Sequence, residues 1–246
     1  MFAGFGSVVN AAAITAGGLA GMLAGKLIKD RYRETILRMI GFGVAMMAVG
    51  STLARMLTVK VEAAESGFTA SLDTQGAIMM IVSLALGALI GEIINLDGAF
   101  ERLGAFLRDK TGSKKDGGFV DAFMTASLTV CVGAMAVMGA LEEGLHANAD
   151  ILLSKSVIDL ITVFTLSASM GKGCIFSAVP VLILQGGITL LAGLLTPVMT
   201  PEAVGNLGLV GNVLIVCVGV NMIFPKIVRV ANALPAIVIA VAFAFI

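Results

Sequence analysis

The stretch Asn10–Gly25, NAAAITAGGLAGMLAG, decides how the rest of the chain reads. Gly17, Gly21 and Gly25 stand four apart, and Ala12, Ala16, Ala20 and Ala24 keep the same rhythm, so a helix here has one face nearly bare of side chains. Such a face lets a second helix lie against its backbone. In water each glycine costs about 1 kcal/mol relative to alanine, so the run makes sense where a helix must satisfy its own backbone, inside a bilayer. Gly87-Ala88-Leu89-Ile90-Gly91 repeats the pattern with the pair Gly87 and Gly91.

Composition agrees. Of 246 residues, 58% are hydrophobic and 13% charged, with a mean hydropathy of +1.03, where soluble domains carry about 45–50% apolar and about 25% charged residues. The expected class is an all-α integral membrane protein, one polytopic domain over residues 1–246 with no large hydrophilic part. Cys131, Cys174 and Cys217 lie in apolar runs without CxxC spacing and read as small buried hydrophobes. The single histidine, His146, builds no metal cluster. The start, MFAGFGSVVN, lacks the basic region of a cleaved signal peptide, so the first apolar run is expected to stay as an anchor.

A spanning helix needs about 20 mostly apolar residues. Eight runs qualify, at about 5–25, 37–57, 76–96, 118–141, 151–171, 173–195, 205–224 and 229–246. With all eight crossing, the connections on one side hold thirteen of the sixteen Lys and Arg residues, and the other side holds only Arg55, Lys60 and Lys155. By the positive-inside rule the basic side is cytoplasmic, and both termini face away from it.

Two basic connections carry apolar residues at helical spacing: Leu27, Ile28, Tyr32, Ile36 and Leu37, then Phe100, Leu103, Phe106 and Leu107. Both are expected to be amphipathic helices in the interface, their bases on anionic headgroups. Lys110–Gly118 reads as a flexible linker and Thr196–Gly205 as a turn. A glycine-rich helix, a link and a Gly/Met helix recur in units of about 5–57 and 76–141. A weaker third unit, 173–224, rests on the match of Val216-Cys217-Val218-Gly219 to Val130-Cys131-Val132-Gly133. Lying upside down relative to the others, it would form an inverted repeat of the kind secondary transporters use.

The runs VVNAAAITAGGLAGMLAG, SLALGALIGEIINLDGAFERLG, FMTASLTVCVGAMAVMGALEEGL, LLSKSVIDLI and VLILQGGITLLAGLL resemble the YqgA/YdfK-type bacterial membrane proteins, the family of the domain of unknown function 554. The resemblance covers nearly the whole chain. It implies a prokaryotic inner-membrane protein, with a label of transport and an association with biofilm formation, and it brings no site residues.

Ionisable groups inside spans are expensive and so are candidates for function. Asp159 leads, with Lys155 four residues earlier on the same face and Ser156 beside it. They form either a neutralised structural pair or an ion or substrate site. Glu92, with Asn95 three residues on, and Asp121 lie near the basic side. Glu142 and Glu143 close the fourth run as surface carboxylates or as the rim of a negative outer vestibule. The amides Asn10, Gln185, Asn206, Asn212, Asn221 and Asn232 must point away from lipid, either joining helices or lining a polar path. Pro180, ahead of Gln185-Gly186-Gly187, and Pro235 are candidate kinks.

No phosphate-binding GxxxxGK[ST] occurs, no catalytic set is expected, and nucleic-acid binding has no case because orientation explains the basic clusters. The leading function is transport of a small solute or ion, without cofactor or metal. Asp159, Lys155, Ser156, Glu92, Asn95, Gln185, Asn10, Asn212 and Asn221 are its candidate lining, and Gly17, Gly21, Gly25, Gly87 and Gly91 its packing residues. The alternative is a scaffold acting through helix and lipid contacts. The glycine faces also suggest a homo-oligomer.

Overall fold

A computed structural model of the chain describes residues 3–27, 30–64, 67–113, 116–132, 134–224 and 227–246. The elements follow in order: α1 (Phe5–Gly25), α2 (Asp30–Met56), a hairpin of β1 (Leu57–Ala64) and β2 (Gly67–Thr74), α3 (Ala77–Ile94), α4 (Leu96–Lys110) and α5 (Phe119–Cys131). Next come α6 (Ala134–His146), α7 (Asp150–Met170), a 3₁₀ turn (Lys172–Ser177) entering α8 (Ala178–Leu190), α9 (Ala192–Leu195) and α10 (Pro201–Ile223). Last is α11 (Pro235–Ala242), with 3₁₀ turns Val230–Ala233 and Phe243–Phe245 on either side. The protein is an all-helical membrane protein, with six helices among the described residues long and apolar enough to cross a bilayer alone.

The glycine faces dictate which helices pair. A Cβ on Gly17, Gly21 or Gly25 would run into the backbone carbonyls of Leu160, Phe164 and Ala168, so α1 lies along α7 with its bare face on the peptide groups. Gly87 and Gly91 do the same for α3 against Ala236 and Asn232, and Gly41 meets Gly219 where α2 crosses α10. All these contacts lie within one chain. The apolar core between α1, α5, α7 and α8 contains Ile14, Ala122, Ala126, Val163, Leu166 and Val181. The outward side chains Leu23, Met46, Ile81 and Ile161 are exposed, as lipid-facing positions should be.

The end of the bundle bearing Gly25, Ile94, Phe119 and Met170 also bears Lys26, Arg108, Lys172 and Arg229; we call it the basic end and its opposite the outer end. Several expectations change. The fourth run is two half-length helices, α5 and α6, bent by 60°, with Val132 extended between them at φ −83°, ψ 114°. The eighth run is too short to pass as a spanning helix, yet it lies antiparallel on α3, with Asn232 level with Gly91, Ala236 with Gly87 and Phe243 beside Gln75 and Gly76. It covers the depth of α3 because its 3₁₀ ends rise more per residue than an α-helix.

The first amphipathic connection is not a separate helix: Tyr32, Ile36 and Leu37 belong to the first turns of α2, and Ile28 lies outside the described residues. The second is, as α4. Residues between the second and third runs form the antiparallel hairpin, Leu57 opposite Thr74 through Ala64 opposite Gly67.

Pro180 and Pro235 stand where a 3₁₀ turn passes into an α-helix inside their apolar runs. Pro180 sits in the first turn of α8 and Pro235 is the first residue of α11, where a missing N–H costs no helical bond. Cys174 is buried, whereas Cys131 and Cys217 are partly exposed, and all three are free thiols. Of the two matched tetrapeptides, Val130-Cys131-Val132 ends a helix while Val216–Gly219 continues inside α10, and Gly133 lies outside the described residues.

Candidate functional site

The site starts from the helix break. Because α5 stops at Cys131, the carbonyl of Val130 has no N–H four residues on to accept from, and the C-terminal end of a helix carries partial negative charge. The Lys155 ammonium fills that position, donating to the Val130 carbonyl at 2.9 Å. It also donates to Asp159 Oδ2 at 2.5 Å, one turn along α7. The two side chains are 9% and 5% exposed.

Two helices complete the cluster. Asn10 on α1 donates from Nδ2 to Asp159 Oδ2 at 2.9 Å and to Gln185 Oε1 on α8 at 3.2 Å. Both amides are fully buried. The glycine contact of α1 with α7 makes this register possible, since it brings the α1 backbone against α7 two turns farther on. So Asn10, Lys155, Asp159 and Gln185, chosen from four separate positions, converge at one point. Ser156 does not join them: its hydroxyl donates to Leu152 O at 2.7 Å on its own helix. Among the described residues, the buried polar atoms without a partner include Asn10 Oδ1 and Gln185 Nε2 of the cluster itself and the hydroxyls of Ser7, three residues before Asn10 on α1, and Ser127, three before Val130 on α5.

Glu143 corrects the reading of a surface carboxylate. It is only 3% exposed, accepting from the Gly6 backbone N–H at 2.5 Å and from Thr189 Oγ1 at 3.3 Å. It therefore caps the start of α1, where the helix dipole favours negative charge. Its neighbour Glu142 points outward and pairs with His146 at 2.9 Å.

The remaining candidates gather elsewhere. At the basic end a cleft of about 940 Å³ is lined by Glu92, Asn95, Asp121, Leu128, Ser169 and Asn221, among others. Glu92 is exposed there and pairs with Arg229 at 3.1 Å. Asn95, at φ 56°, turns the chain between α3 and α4, and its side chain accepts from Gly98 N at 3.2 Å. Asn232 Oδ1 accepts from Asp97 N at 2.7 Å, holding the same corner. Asn221 clasps the chain beyond α10, donating to Val228 O at 2.6 Å and accepting from Val228 N at 3.0 Å. Asn221→Ala is expected to cost about 1–3 kcal/mol by leaving the Val228 N–H unpaired, its carbonyl keeping Val230 N at 3.0 Å, which a shift in thermal unfolding of purified protein checks. Asn212 is partly buried in mid-α10, and none of the cluster's bonds reaches it. Asn206 lines a smaller cleft at the outer end.

The basic-end cleft climbs α5 from Asp121 through Thr125 to Leu128, two residues short of the Val130 carbonyl that holds Lys155. Glu143 approaches the cluster from the outer end. Among the described residues no group of three or more His, Cys, Asp or Glu side chains is placed to hold a metal ion.

Comparison with known proteins gives a family match over residues 5–245, to the family described as a protein of unknown function (DUF554). The uncharacterized membrane protein YdfK of Bacillus subtilis is 27% identical over 96% of this chain and 93% of its own length. The uncharacterized protein YqgA of Escherichia coli is 27% identical over 96% of this chain and 94% of its own. No solved structure matches the chain.

Proposed function

Since the chain belongs to the DUF554 family and folds as an all-helical membrane protein, we propose that it transports a small solute or ion, with Asp159 at the coupling site. The observation that carries this reading is the ion pair of Lys155 and Asp159 buried at the end of a broken helix, with an open cleft ending two residues away. Broken helices at mid-membrane with polar side chains around them are where transporters hold their ions, and a charge inside a span is costly enough to need a use. In this reading the basic end faces the cytoplasm, by the distribution of Lys and Arg, and the membrane is the prokaryotic inner membrane that the family resemblance implies. A scaffold has less to offer, because the glycine faces it would present to partners close on helices of the same chain.

The test is flux of Na⁺, K⁺, H⁺ and a panel of small organic anions in liposomes containing purified protein. Wild type is expected to move at least one of them, Asp159→Asn to lose about 100-fold of that flux, and Glu142→Gln, paired outward with His146, to keep it. No flux of any solute with a folded protein sinks the reading, and so does full flux in Asp159→Asn.

A further inference from the structure

The buried polar groups stand in two rungs. In the outer rung Glu143 bonds Gly6 on α1 and Thr189 on α8. In the inner rung Asn10 on α1 bonds Gln185 on α8 and Asp159 on α7. Gly6 to Asn10 and Thr189 to Gln185 are each four residues, so both helices carry the second rung about 6 Å deeper than the first. One water with a hydrogen bond to each side spans about 5.5 Å. The groups able to line that step are the ones without partners: Ser7 Oγ, Asn10 Oδ1 and Gln185 Nε2, all on side chains that are fully buried. A buried polar atom left unpaired costs about 1–3 kcal/mol, and three of them on α1 and α8, the two helices that carry both rungs, mark a route for something that hydrogen-bonds. Beyond the inner rung, Lys155 reaches Val130 O, and the unpaired, fully buried hydroxyl of Ser127 lies one turn back on α5, next in sequence to Leu128, which lines the cleft.

We propose that the coupled ion is the proton, relayed between Glu143 and the Asp159–Lys155 pair and released to the basic-end cleft. This names the ion of the transport reading and rests on it. Glu143 takes a proton from the outer end. Its neutral carboxyl passes that proton through a bridging water to the Asp159 carboxylate, so the negative charge moves one turn outward, to the start of α1. The Lys155 ammonium, now without a counter-ion, gives a proton toward the cleft past Ser127. The resulting amine takes the proton of the Asp159 carboxyl, and the ion pair is restored. Each cycle moves one proton, and only O–H and N–H bonds change.

Other titratable groups leave the route clear. Cys131 on α5 is the one further group facing the pair among the described residues. α1 and α8 carry no titratable side chain, and their bonds to the two carboxylates come from Gly6, Asn10 and Thr189. Glu142 and His146 are turned outward with each other, and Asp150 is exposed.

The experiment is proton entry into pyranine-loaded proteoliposomes under an imposed pH gradient, with K⁺ and valinomycin clamping the potential. Wild type and the outward-facing control Glu142→Gln are expected to acidify the lumen faster than protein-free vesicles. Glu143→Gln, which keeps an oxygen for Gly6, and Asp159→Asn are each expected to lose about tenfold or more. In infrared pH-difference spectra a carboxyl band should vanish in Glu143→Gln and shift in Asp159→Asn, a linkage that a purely structural cap does not give. Wild-type proton flux in Glu143→Gln, with loss only in Asp159→Asn, overturns the relay and leaves transport standing. Flux of another solute in wild type without protons does the same. A wild type that moves neither protons nor any solute of the panel overturns both.

Discussion

Asp159→Ala should lower folding stability by about 3–5 kcal/mol, while the double substitution Lys155→Met with Asp159→Leu should fold about as well as wild type and carry no flux. The asymmetry follows from what each change leaves behind. Removing only the carboxylate strands the Lys155 ammonium, 9% exposed, with Val130 O as its one remaining partner among the described residues. It also takes the acceptor from Asn10 Nδ2, which then keeps only Gln185. An uncompensated charge in the interior is worth several kcal/mol, whereas a hydrophobic pair of similar volume is often neutral or better than the ion pair it replaces. Against that gain stands the second partner lost by Asn10, about 1 kcal/mol. Reversible unfolding of the purified variants in mixed micelles, run beside the liposome flux, separates the two roles. A double variant that is stable and silent shows that the pair is kept for function. One that is stable and still active removes Asp159 from the mechanism, and an Asp159→Ala protein as stable as wild type shows the pair is not buried together.

The parts of this arrangement that could be read in the sequence are those written in local spacing. Gly17, Gly21 and Gly25 announce a bare helix face, and Lys155 and Asp159 share a face because they are four apart. Asn10 and Gln185 are conspicuous as amides in apolar runs, but their meeting, 175 residues apart, depends on how α1, α7 and α8 pack. The break after Cys131 carries no proline. Its signal is two β-branched valines about a cysteine, with a glycine following, which lowers helix propensity by only a few tenths of a kcal/mol per residue and is hard to tell from ordinary apolar sequence.

Glu143 was hidden for another reason: two adjacent carboxylates at the end of a span look solvated, yet neighbours on a helix point about 100° apart. Only Glu142 can face out. The clue was Gly144 beside it, where a Cβ would collide with the Thr189 carbonyl, so that α6 and α8 touch there and enclose the neighbouring acid. The hairpin had its own trace in Thr58-Val59-Lys60-Val61-Glu62, an alternation of period two that belongs to a strand.

Gly21→Leu should yield almost no folded protein, a loss above about 4 kcal/mol, because the new side chain must occupy the space of the Phe164 peptide group. No rotamer relieves this, since the clash begins at Cβ and the opposing atom is backbone. Gly43→Ala is the control: its surroundings within 4 Å are open, and replacing a helical glycine there should gain up to about 1 kcal/mol. Recovery from detergent as a single species in size-exclusion chromatography, together with helicity, reads both. A Gly21→Leu protein that is folded and monomeric, having lost only self-association, would place the glycine face between chains and not between α1 and α7.

Gly21→Ala is the informative intermediate. One methyl pushes α1 away from α7 without destroying either helix, and Asn10 rides on α1. Its 2.9 Å bond to Asp159 cannot survive a displacement of about 1 Å. The variant is therefore expected to fold with a lower unfolding midpoint and to lose flux far out of proportion to stability, because a glycine three turns along α1 from Asn10 sets the distance at which Asn10 meets Asp159.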